Sequence, residues 1–95
     1  MSRKEAMIEK AEARMAQLDA EVSRLRAKAE EADADLKLKV QEELDEVKRH
    51  RRTFENRIGE IRQAGEEALV DLSDGFERAW STLTNHLERA AGRFK

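Results

Sequence analysis

Residues 18–51 read LDAEVSRLRAKAEEADADLKLKVQEELDEVKRHR. Apolar side chains recur here in steps of three and four, with charges filling the gaps, which is the period of an amphipathic helix and not of a strand. Toward the N-terminus the stripe continues through Ile8, Ala11 and Met15. It forms a heptad repeat, with Ile8, Met15, Val22, Ala29 and Leu36 at a and Ala11, Leu18, Leu25 and Ala32 at d. No Gly or Pro interrupts the chain from Ser2 to Ile58, so the strongest turn signals are missing. The simplest reading is one helix over about 3–63, opened by Ser2 with Glu5 at capping-box spacing. At 1.5 Å per residue that rod would be roughly 90 Å long. Toward the C-terminus the register slips, because Leu36, Val40 and Leu44 are four apart. The repeat resumes with Leu44, Arg51 and Ile58 at a and Val47, Phe54 and Ile61 at d. An inserted residue unwinds the supercoil locally, so a nearly straight segment is expected over 36–44.

Gln63-Ala64-Gly65 reads as a stop, with Gly65 free to take the left-handed conformation of a helix end. Glu66 and Glu67 then suit the first turn of a new helix. This predicts a turn at 64–66 and a second helix over about 66–92. Residues 73–75 leave a kink, a break or a continuous helix open, since Gly75 follows Asp74 and Glu77 completes capping-box spacing. Leu69, Leu72, Phe76, Trp80, Leu83, Leu87, Ala90 and Phe94 form one stripe, widened by Val70 and Ala79. Its natural target is the Val40–Ile61 stripe, reached through an antiparallel αα-hairpin that leaves residues 3–35 projecting. The expected fold is all-α: a long coiled-coil-like helix, then a second amphipathic helix folded back, in a self-associating chain. Val47, Phe54, Ile58, Ile61, Leu69, Phe76, Trp80, Leu83 and Leu87 form the expected association core. Ala11, Ala29 and Ala32 bury little area and Arg51 occupies an a position, so the N-terminal rod is weak as a two-stranded coil. Fold-back and four-helix assembly both stay open.

The composition excludes most other classes. The chain has 95 residues, 42% of them charged, with no Cys, no Pro and a formal net charge of −2. Ala, Glu, Lys, Leu and Arg supply well over half of it, as in long helices and coiled coils. Without Cys no disulfide or thiol chemistry operates. Balanced charge argues against a dedicated nucleic-acid binder. No apolar run approaches the ~18 residues of a membrane span, and the opening residues lack a signal peptide's apolar stretch. Cytoplasmic residence is expected. In a parallel dimer the facing g and e residues would be Arg14–Asp19, Glu21–Arg26, Lys28–Asp33, Glu43–Lys48 and His50–Glu55, all opposite in sign with His50 protonated. Arg57–Arg62 would repel. Expected partners are further copies of the chain, as a dimer or tetramer, or a partner protein's helix.

Few residues suggest chemistry. Lys48, Arg49, Arg51, Arg52 and Arg57 are the densest basic run and the candidate phosphate patch. Glu42, Glu43, Asp45, Glu46 and Glu55 crowd it, which favours a solvated helix surface over nucleic-acid contact. His50 and His86 stand without H-E-x-x-H or E-x-x-H spacing, so no metal and no other cofactor is expected. Ser73 and Ser81 have no adjacent base, and an enzyme is not expected. The face bearing Phe76, Trp80, Leu83 and Leu87 reads first as core. Its second reading, a membrane-surface face, is weakened by Asp71, Asp74, Glu77 and Glu88 among its basic residues.

One resemblance covers most of the chain. The opening Ser2-Arg3-Lys4-Glu5-Ala6, the run 18–51, and the tail with Ala79-Trp80, Leu83, Leu87, Ala90-Ala91 and Arg93-Phe94-Lys95 resemble small bacterial coiled-coil proteins. These were named as stress-response proteins from cyanobacterial members. The resemblance implies a short, soluble, non-enzymatic helical protein linked to stress. The chain departs from that pattern after Gly65, where Glu66-Glu67-Ala68-Leu69 replaces a stretch containing an aromatic residue.

Overall fold

The stretch read as one rod breaks once, at Glu31-Ala32-Asp33. A computed structural model describes residues 2–95. It contains α1 (Arg3–Glu30), α2 (Ala34–Gln63) and α3 (Leu69–Gly92), with a single 3-10 turn (Glu66–Ala68) leading into α3. The protein is thus all-α, and α2 with α3 makes a helical hairpin. The continuous helix over 3–63 is corrected to two helices. Residues 3–30 do not project but fold back on the hairpin. Ion pairs such as Arg51–Asp19 and Arg62–Glu12 show α1 antiparallel to α2.

The reversal needs no glycine. The Glu31 and Ala32 amides donate to the Lys28 and Ala29 carbonyls, closing α1 with tightened last turns. Asp33 then takes extended backbone, and its carboxylate accepts the Leu36 amide at 2.9 Å. Asp is among the best residues for satisfying the orphan donors of a helix start. The straight segment expected at 36–44 therefore begins just after a loop. At the second turn Ala64 and Gly65 are both extended, with φ near −79°. Gly65 is not left-handed, and no described residue has positive φ. The chain needs two extended residues there to swing α3 alongside α2. Lys4 Nζ donates to the Ala64 carbonyl at 3.0 Å and ties the start of α1 to this turn.

Two clusters fill the bundle. The larger joins Ala11 and Leu18 of α1, Val47, Phe54, Ile58 and Ile61 of α2, and Leu69, Phe76 and Leu83 of α3. The smaller, near the 31–33 loop, holds Leu25, Ala29, Val40, Leu44 and Ala90. Ala11, Ala29 and Ala90 are buried beside Leu18, Leu25 and the α2 and α3 side chains, so a stripe too poor for a two-stranded coil serves a three-helix core. α3 runs unbroken through Gly75, so of the readings left open there the break is removed.

Three substitutions test this packing. Phe54→Ala should cost about 3–5 kcal/mol, a large part of a small domain's total, whereas Leu38→Ala on an exposed site should change little. Gly75→Ala should stabilise by about 0.5–1 kcal/mol. Its new methyl would meet only the Arg57 side chain, at 3.7 Å. Thermal unfolding followed by circular dichroism reads all three.

Candidate functional site

The α2–α3 seam concentrates the chain's aromatic and imidazole groups. Heptad steps along α2 place His50 and Phe54 one turn apart, and α3 answers with Phe76, Trp80 and His86. Phe54 packs 5.1 Å from Phe76 and 5.2 Å from Trp80, centroid to centroid. From α1, the Arg14 guanidinium lies 5.3 Å from the Phe76 ring and 5.2 Å from the Trp80 ring. It also donates to both Glu77 carboxylate oxygens at 3.1 Å, and Lys10 Nζ joins at 3.1 Å. Burial opposes ionisation of Glu77, but the hydrogen bonds from Lys10 and Arg14 prevail and hold its carboxyl below the usual range. This knot latches α1 over the aromatic cluster.

Further along the seam His50 of α2 and His86 of α3 stack face to face, with centroids 4.4 Å apart and rings 13° from parallel. Glu46, one turn before His50, brings its carboxylate within 3.8 Å of His50 Nε2. Burial, then the neighbouring His86, lowers the His50 pKa. His86 Nδ1 is buried with no hydrogen-bond partner. Beside the pair a cleft of about 170 Å³ opens between the helices, lined by His50, Thr53, Arg57, Gly75, Arg78, Ala79 and Thr82. The sequence reading that these histidines stand apart from other ligand-type groups is therefore corrected. H-E-x-x-H and E-x-x-H are absent, but the Glu46-x-x-x-His50 spacing also puts both groups on one helix face. Only packing could supply His86.

The expected association core lies inside this bundle. Val47, Phe54, Ile58, Ile61, Leu69, Phe76 and Leu83 are buried, and Trp80 and Leu87 are half-buried at its margin. The basic run is divided among partners. Arg51 makes a bidentate pair with Asp19 at 3.0 Å and also reaches Glu55. Arg49 pairs with Glu46, and Arg57 with Glu60 at 3.1 Å. Among the described residues only Lys48 and Arg52 of this run have no carboxylate within ion-pair reach.

The Ser73 hydroxyl donates to the Val70 carbonyl at 2.8 Å and the Thr84 hydroxyl to that of Ser81 at 3.1 Å. No described helix is long and apolar enough to cross a membrane. The chain matches no family model, no curated protein and no solved structure.

Because the Glu77 pKa is depressed, its stabilising contribution is present above its unfolded value near 4.5 and is lost as pH falls below it. Glu77→Gln should therefore flatten the fall in melting temperature between about pH 5 and 3. The loss at pH 7 should be modest, a few tenths of a kcal/mol, since the carboxylate is half exposed.

Proposed function

We propose that this chain is a non-enzymatic helical interaction protein that acts by exchanging its first helix between copies of itself. The observation that carries this reading is the phase of the apolar stripe across the 31–33 loop. Ala29, Ala32 and Leu36 keep steps of three and four, although the backbone reverses between them. If residues 31–33 straighten, both helices present their apolar residues on one face of a single rod. α1 can then leave its own hairpin and dock on another chain's, remaking the contacts of Ala11, Leu18 and Leu25 there. A short loop without glycine or proline is the setting in which such exchange is cheap. Within one chain α1 is held on the outer side by ion pairs such as Arg51–Asp19 and Arg62–Glu12, mostly exposed, and exposed pairs contribute little.

The same opening would let a partner protein's helix take the place of α1. A membrane-surface role for the α3 face has less support, since Phe76 and Leu83 would first have to leave the core. Contact with nucleic acid has less still, because carboxylates already engage Arg49, Arg51 and Arg57. The stress setting and a bacterial source belong to the same proposal and draw on the resemblance alone, while cytoplasmic residence is proposed with them and is compatible with there being no described helix long and apolar enough to cross a membrane.

Light scattering across a concentration series tests the exchange. The expected result is a monomer of 11.0 kDa in equilibrium with a species of twice that mass. Asp33→Ala removes the cap of α2, weakening the folded-back form by about 1 kcal/mol, and should shift the balance toward the dimer. A mass of one chain at every concentration for both proteins, or a dimer whose population ignores Asp33→Ala, would contradict the proposal.

A further inference from the structure

We propose that Glu46, His50 and His86 form a binding site for a divalent transition-metal ion of the zinc class, joining α2 to α3. The three side chains each offer one ligand atom, and these atoms lie within 4.8 Å of one another. Two imidazoles and a carboxylate are the donor set that zinc and its neighbours accept, leaving a position for water. Around a tetrahedral ion with bonds of about 2.0–2.2 Å, donor atoms stand roughly 3.3–3.5 Å apart. The rings now lie 13° from parallel, so coordination asks both imidazoles to turn out of their stack until their in-plane nitrogen lone pairs meet at one ion.

The second observation is the state of the two rings. His86 Nδ1 is buried and unpartnered, although a buried polar atom ordinarily finds a hydrogen bond. Its ring lies flat against His50 instead of turning toward an acceptor. A shared cation gives that nitrogen a partner and gives the stacked pair a reason to converge. Glu46 now pairs with Arg49, and His50 faces Glu46 and His86. Coordination asks Glu46 to turn from Arg49, an exposed guanidinium that water solvates readily. The site lies wholly in the α2–α3 hairpin, so it does not depend on α1 and stands apart from the helix-exchange reading.

The test uses the full chain without a polyhistidine tag, stripped with chelator and titrated with Co(II) and then Zn(II). Expected are visible d–d bands saturating at one Co(II) per chain, displacement by Zn(II), and a rise in melting temperature with added Zn(II). His50→Ala and His86→Ala should each weaken binding by more than the roughly 10–100-fold that follows loss of a hydrogen-bond partner behind a metal ligand. Glu46→Gln should weaken it less, and Glu42→Gln on exposed α2 surface should leave it unchanged. His86→Gln, closer in shape, gives the same answer if His86→Ala unfolds. Absence of d–d bands, or binding that survives both His50→Ala and His86→Gln, would overturn the site.

Discussion

Everything in this structure follows from the need to cover the bulky face of α3. Leu69, Phe76 and Leu83 cannot stay in water, each contributing about 1.5–3 kcal/mol on burial. The α2 stripe of Val47, Phe54, Ile58 and Ile61 covers one side of that face. The other side needs a third helix, and α1 supplies it with Ala11 and Leu18 at the contact. Arg14 completes the arrangement by lying over Phe76 and Trp80 while Glu77 holds its charge.

Much of this was legible in the residues. The period of three and four gave the helices, Gly65 marked the second turn, and the stripe from Leu69 to Phe94 named the hairpin partner of α2. The first turn was not legible, because residues 31–33 contain neither glycine nor proline, the strongest turn signals. Asp33 does the same work through its carboxylate, capping α2. Alanines at 11, 29 and 32 already argued that a two-stranded rod would be weak. The structure resolves that weakness by adding α3 to the same core. Arg51, an awkward charge in a dimer seam, points instead at Asp19 on the neighbouring helix of its own chain.

The imidazole pair was the least legible feature. Glu46 and His50 are four apart and share a helix face, so half of the cluster lay in plain sight. His86 is distant in sequence and joins only because antiparallel packing brings its turn of α3 opposite that of His50. Stability and function meet at this seam. The hairpin is closed by aromatic packing and carries the proposed cation site. α1 is held by Ala11, Leu18, Leu25 and Ala29 and by mostly exposed ion pairs, and it is the part proposed to exchange.

The central claim is that α1 folds back on the hairpin within one chain. The most direct measurement is a pulsed electron-spin distance between labels at positions 3 and 62, at concentrations where the mass is 11.0 kDa. Lys4 meets the Ala64 carbonyl in the folded chain, and packed helices lie about 8–10 Å apart. The account predicts a label separation on the order of 10–20 Å, allowing for that spacing and the label arms. A separation near the roughly 90 Å of an unbroken helix in the single chain would contradict it.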